Sequence, residues 1–435
     1  MVKDHSWNRR DFIAKPLTWL AATRLLGNSG FLFAEQTKPS SSAARKPIFR
    51  TLGKTGISLP IVSMGVMRAD IPALINRSYE VGIRYFDTAA GYQQGRNEEM
   101  VGSAIKQLGV RDQVTIATKV PLPPALRENL SALTSAEVKD KLQETFNGSL
   151  KRLQMDHVDI LHLHGADSAE MVKLDGALEA MSALKKDGKA RFLGVSTHSH
   201  QEAVLNEVMR LGVHDVVLLA INSTMASNRG LLDAIDRAST QGIGLVAMKT
   251  MAGGMERPAS PPTPRPASQS AAQPPSQTPP RPPQPPPPGN PTALLKWVLR
   301  HESITTAIAG FTTFEQIEQN FTVAYDLEYS DAERRFLADK SFVIQAEFCQ
   351  QCGECRSSCP QRADIPTLMR SHMYGLQYRD AELANYTLAS IAAGKGLEAC
   401  ANCESCQASC SKTVNIARKI AQLKAFPLPG LPVLS

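Results

Sequence analysis

The sequence predicts an α/β protein, a (β/α)8 barrel of the TIM type followed by a small, mainly helical module. Three observations predict it. Short runs rich in β-branched and aromatic residues alternate eight times with segments whose apolar residues recur at helical spacing, and eight such units close a parallel sheet into a barrel. All eight cysteines fall after the last unit, so the C-terminal part carries a different chemistry. At 435 residues, 43% hydrophobic and 20% charged, the chain is long enough for one large core and a second small one.

The elements follow in order. Residues 1–38 read as an export signal: Asn8-Arg9-Arg10-Asp11-Phe12-Ile13 is a twin-arginine pattern and Pro16 to Ala34 a moderately apolar stretch after it. The expected location is periplasmic by the twin-arginine route, and cytoplasmic otherwise. Arg24 inside the apolar stretch argues against a stable membrane span. Residues 39–47 form a linker, and Ile48 to Gly56 reads as a hairpin that opens a barrel over 48–330. The eight strands are expected near Leu59–Val66, Ile83–Asp87, Val114–Lys119, Val158–His164, Phe192–Ser196, Val216–Asn222, Gly244–Lys249 and Thr305–Gly310. After the seventh, residues 257–291 hold 16 of the 29 prolines, a composition that excludes helix and central strand and favours a solvated, extended insertion. The second module is expected over 331–425, with a tail at 426–435.

Charge excludes one class of partner. The net charge of +7 is spread over scattered lysines and arginines, with no basic stripe interleaved with aromatics, so no nucleic-acid surface is expected. No membrane span is expected apart from the signal region.

The stretch Gly82 to Ala104, GIRYFDTAAGYQQGRNEEMVGSA, reads as strand, loop, helix. Asp87 stands where the strand ends and Tyr92 five positions later in the loop. VTIATK closes on Lys119 and VDILHLH on His164, again at strand ends. Neighbouring strands in a parallel sheet lie about 5 Å apart, so consecutive strand ends bring Asp87, Lys119 and His164 side by side on the loop face where barrels carry function. Each residue alone is ordinary; their joint placement is not.

These residues resemble those of aldo-keto reductases. Asp87-x-x-x-x-Tyr92, Thr118-Lys119, VDILHLHG around His164 and GKARFLGVS ending at Ser196 stand in the family's order over Arg50 to Ala324, the insertion aside. The resemblance implies a nicotinamide cofactor, NADP or NAD, and a small carbonyl or alcohol substrate. Tyr92 would be the proton donor, Lys119 would favour its phenolate, Asp87 would hold the lysine, and His164 would orient the carbonyl. It also implies cofactor contacts at Ser196, Gly310, Gln316 and Asn320. Gly310 and Gln316 replace the family's 2′-phosphate-binding basic residue and arginine, and Leu218 replaces a glutamine that meets the nicotinamide amide. Some family members hold nucleotide without turnover, which leaves a binding or regulatory barrel as the second reading.

The cysteines form two copies of one spacing: Cys349-x-x-Cys352-x-x-Cys355-x-x-x-Cys359-Pro360 and Cys400-x-x-Cys403-x-x-Cys406-x-x-x-Cys410, with Ser411 in place of the proline. Zinc sites use split pairs, and disulfides need no such regularity. The pattern resembles bacterial-type ferredoxin motifs for [4Fe-4S] clusters, and the helical segment between the copies resembles two-cluster ferredoxins of the helical kind. That resemblance implies two [4Fe-4S] clusters with crossed ligands: Cys349, Cys352, Cys355 and Cys410 for one, Cys400, Cys403, Cys406 and Cys359 for the other. A redox partner protein is a possible consequence.

Overall fold

The structure, a computed structural model, describes residues 46–127, 129–252, 290–339, 347–401, 403, 405–412 and 414–426. The export signal, the body of the proline-rich insertion and the tail beyond residue 426 lie outside the described residues.

Ten strands are present among the described residues: β1 (Phe49–Thr51), β2 (Ser58–Pro60), β3 (Val62–Gly65), β4 (Tyr85–Asp87), β5 (Thr115–Pro121), β6 (Val158–His164), β7 (Ala190–Thr197), β8 (Val216–Ala220), β9 (Gly244–Met248) and β10 (Thr306–Gly310). β3 to β10 close a parallel barrel, with β10 returning to β3. β1 and β2 form a separate antiparallel hairpin.

The strand expected from Leu59 to Val66 is therefore two strands. Leu59 pairs with Arg50 in the hairpin, Ile61 N–H still donates to Ile48 O at 3.1 Å, and from Val62 the chain pairs with β10 instead. The hairpin closes the barrel's floor. Leu52 and Leu59 pack with Tyr85, Ala117, Ile160 and Val246 inside the barrel, and a Cβ on Gly244 would stand 2.6 Å from Leu52.

The period of two along each strand sorts the side chains. Tyr85, Ala117 and Ile160 face the interior, whereas Phe86, Ile116 and Leu161 join the larger core between strands and outer helices. Two residues beyond the inward Tyr85 and Ala117 stand Asp87 and Lys119, and two and four beyond Ile160 stand His162 and His164. Inward direction at the loop end of the barrel thus follows from strand register alone.

The helix at Asp331–Ala338, expected to open the second module, belongs to the barrel. Ser330 and Glu333 form its capping box, and Glu333 pairs with Lys296 of the helix Pro291–Leu299 at 2.9 Å, both largely buried. The cysteine-bearing module then consists of short helices at Ile365–His372, Ala381–Leu388 and Ile416–Ala425 around a small core of Leu368, Met369, Ile420 and Leu423 with the buried cysteines. A satellite core of Met373, Tyr374, Leu383 and Ala384 packs against Met67 of the barrel's first loop. No helix among the described residues is long and apolar enough to cross a membrane.

Candidate active site and cluster module

The four predicted residues meet at the loop end of the barrel. β4, β5 and β6 are consecutive, with Asp87 opposite Ala117 and Lys119 opposite His162. Lys119 Nζ donates to Asp87 Oδ1, to the Thr88 carbonyl at 2.6 Å and to Tyr92 Oη at 3.3 Å. Tyr92 stands in a short turn, Tyr92–Gly95, at the end of a loop tied to β5 through Thr88 N–H to Ala117 O and Ala90 N–H to Lys119 O. Asn97 anchors the following helix by accepting from Thr88 Oγ1 and donating to Val66 O. The His164 ring meets the Tyr92 ring edge-on, centroids 5.8 Å apart.

Burial sets the protonation states. It raises the Asp87 carboxyl and lowers the Lys119 ammonium, while each partner opposes the other's shift. Burial first, then the Asp87 charge, pushes the Tyr92 phenol well above its ordinary value. Lys119 Nζ is the cation within hydrogen-bond reach of that phenol, at 3.3 Å. His164 is held neutral by burial and then by Lys119 and Arg370. The site therefore offers two proton-bearing groups to a carbonyl oxygen, a phenol and a neutral imidazole.

The predicted cofactor residues divide. Gly310 stands opposite Gly65 in the register of β10 and β3, and both line the cavity that holds Asp87, Tyr92 and His164. Two adjoining glycines leave that wall bare. Asn320 is fully buried on the helix Phe314–Phe321, and its Oδ1 has no hydrogen-bond partner, an orphaned acceptor suited to an amino group. Ser196 is fully buried, its Oγ accepting from Gly165 N–H at 3.0 Å. Gln316 Oε1 accepts from Thr312 N–H and Oγ1, so it serves its own loop and supplies no cation.

Sequence reasoning missed the roof. The cavity, about 580 Å³, is closed over by the cysteine-bearing module, which contributes Arg370, Tyr374, Tyr378 and Tyr386. Arg370, Tyr374 and Tyr378 recur every four residues along the helix Ile365–His372 and the π turn Met373–Gln377 that continues it. That spacing was legible in the sequence as one helical face. Tyr386 lies against the backbone beside Tyr92: a Cβ on Gly91 would stand 2.1 Å from its hydroxyl. From the barrel, Lys249 at the end of β9 and Arg68 after β3 reach the same roof. Lys249 occupies a strand end like Asp87 and Lys119, and the same reading could have found it.

Cys349, Cys352, Cys355 and Cys410 line one small cavity. Cys359 and Cys400 are buried, and the charges of Cys359, Cys403 and Cys406 act on Cys400. None of the eight is joined in a disulfide. Burial pushes Cys349 up to about 12 and Cys355 to about 11, so a strongly positive group is needed to hold them as thiolates. Among the described residues, no three His, Cys, Asp or Glu side chains converge as the ligands of one metal ion.

Fold and site thus define a closed barrel with a proton-donating pocket, roofed by a thiol-rich module. The chain belongs to the aldo/keto reductase family, whose sequence profile matches residues 58–278, and a 4Fe-4S dicluster domain matches residues 348–415. It is 26% identical to L-galactose dehydrogenase of Arabidopsis thaliana over 68% of this chain and 94% of that protein. It is 38% identical to the aldo-keto reductase YhdN of Bacillus subtilis over 29% of this chain and 37% of that protein. The holo form of aldo-keto reductase AKR11C1 from Bacillus halodurans superposes with a TM-score of 0.50 at 22% identity, covering 67% of this chain and 96% of that one, a likeness of fold.

Proposed function

We propose that the chain is a nicotinamide-dependent carbonyl reductase, able to run in reverse as an alcohol dehydrogenase, whose roof carries two [4Fe-4S] clusters. The observation that carries this reading is the buried chain Asp87–Lys119–Tyr92 with neutral His164 beside it. Tyr92 donates its proton to the carbonyl oxygen as negative charge builds there. Lys119 Nζ, already donating to Tyr92 Oη, strengthens that bond as the phenolate forms, and Asp87 and Thr88 O keep the ammonium in place. His164 donates to the same carbonyl oxygen and fixes its direction.

A reduced nicotinamide supplies a hydride equivalent to the carbonyl carbon when bound. The bare wall at Gly65 and Gly310 and the orphaned Asn320 Oδ1 fit such a cofactor, and Ser196 lies buried beside the pocket. With glycine at 310 and glutamine at 316, the expected 2′-phosphate positions hold no cation, which leaves NAD and NADP on a near-equal footing.

The test is anaerobic single-turnover mixing of the purified full chain and NADH or NADPH with a panel of aldehydes and ketones, followed by loss of nicotinamide absorbance. Carbonyl-dependent oxidation is expected. Tight nucleotide binding with no oxidation by any carbonyl would favour a nucleotide-holding regulatory barrel.

The cluster assignment has its own measurement. Crossed ligation of both sites predicts about eight iron and eight inorganic sulfide per chain. About four of each would mean that one site alone fills, and stoichiometric zinc would remove the assignment.

A further inference from the structure

The cavity is strongly cationic. Arg68, Lys249, Arg356, Arg362, Arg370 and Lys395 line it against three carboxylates, Asp87, Asp167 and Asp364. Asp87 is neutralised by Lys119, and Asp364 pairs with Arg356 at 2.8 Å. Three of the cations concentrate under the roof. Lys249 Nζ donates to Tyr374 Oη at 2.7 Å and lies over the Tyr374 and Tyr378 rings at 4.5 and 5.7 Å. Arg68 stacks on Tyr378 at 4.4 Å. Arg370, one turn before Tyr374, approaches Asp167 Oδ2 at only 3.8 Å. The other oxygen of Asp167 already accepts from Thr197 Oγ1 and the His198 and Ser199 N–H groups.

Like charges held together in a buried place are costly unless an anion joins them. The cost is visible at Lys249: burial, with Arg370 and Arg68 nearby, lowers it to about 8. The cluster also stands close to the chemistry, because Arg370 and Lys249 both act on His164. Glu347 shares a small adjoining cavity with Lys249 and Arg370, but its carboxylate is already paired with Arg418 at 2.6 Å and Lys419 at 3.7 Å.

We propose that Lys249 from the barrel and Arg370 from the cluster module, with Arg68 beside them, form a subsite for an anionic group, carboxylate or phosphate, on the same substrate whose carbonyl meets Tyr92 and His164. This rests on the reductase reading and adds the substrate class: a carbonyl compound carrying an anion a few bonds away, such as a 2-oxo acid or a phosphorylated aldehyde. Guanidinium and ammonium from two modules would clamp the anion and swing the carbonyl toward Tyr92. The aromatic pair lies between Lys249 and Arg68, with each cation over a ring face.

The experiment uses the full chain with its clusters loaded under anaerobic conditions. Turnover of pyruvate is compared with methyl pyruvate, and of glycolaldehyde phosphate with glycolaldehyde. Wild type is expected to favour the anionic member of at least one pair. Arg370→Gln and Lys249→Gln are each expected to lower the anionic-to-neutral ratio of kcat/KM about 10- to 100-fold, the worth of one charge-assisted hydrogen bond. Arg370→Lys should retain part of the ratio, which a merely structural role would not predict. An unchanged ratio in both glutamine variants overturns the subsite. So does a loss that appears instead in the Kd of NADH or NADPH, since the cations would then serve the cofactor's pyrophosphate. Calorimetric titration with pyruvate and with glycolaldehyde phosphate separates the two readings. Anion binding weakened by Arg370→Gln, in a protein that reduces no carbonyl, would keep the subsite and remove the reductase. Carbonyl turnover with no preference for charge would do the reverse.

Discussion

Tyr92→Phe is expected to lower the turnover number of the proposed carbonyl reduction about 10³-fold, the loss of a positioned general acid. The substitution removes one hydroxyl whose partner, Lys119 Nζ, keeps its bonds to Asp87 and Thr88 O, so the buried ammonium stays satisfied. The ring still meets His164 edge-on. Nucleotide affinity and the unfolding midpoint should therefore hardly move while kcat collapses. Presteady-state mixing with reduced nicotinamide reads the chemical step directly. A variant that turns over at the wild-type rate would take the proton-donor role away from Tyr92, and a variant that loses nucleotide binding in proportion would make the defect one of assembly.

The second large effect concerns the ion pair beneath it. Asp87 and Lys119 are both 1% exposed, and breaking a buried pair from one side leaves an uncompensated charge worth about 3–5 kcal/mol. Lys119→Met should show a loss of that size by denaturant unfolding of the cluster-loaded chain. The double substitution Asp87→Asn/Lys119→Met should recover much of it, because no lone charge remains. Activity should not recover with stability, since neither variant holds a donor on Tyr92 Oη. Strict additivity of the two single effects on stability would mean that Asp87 and Lys119 are not coupled as their contact indicates.

The barrel and the meeting of its candidate site residues were legible because both rest on local regularities. The period of two along β4, β5 and β6 puts Asp87, Lys119 and His164 on the inner face, and strand adjacency brings them together. The errors arose where a distant partner changes the outcome. Between Pro60 and Val62 one long apolar run changes partner from the hairpin strand β1 to the barrel strand β10. Glu333 and Lys296 bind the helix at 331–338 to the barrel through a contact between residues 37 apart in sequence, which no local pattern announces. Cysteine spacing announced the thiol sets, yet not that their scaffold would roof the pocket. Docking depends on shape, here the opening that Gly91 leaves for Tyr386 and the π turn that keeps Tyr374 and Tyr378 facing the barrel.

That roof changes what a preparation of this protein is. Tyr374, Tyr378 and Tyr386 are held by a module whose own core is small and mixes aliphatic side chains with buried cysteines, so its order depends on what fills the thiol cavities. Air exposure that strips the clusters would dismantle a wall of a pocket whose proton donors sit elsewhere, on the barrel. The bench consequence is that substrate range becomes a property of the batch: an oxidised sample can keep Tyr92, Lys119 and His164 intact and still discriminate between substrates differently from the intact molecule.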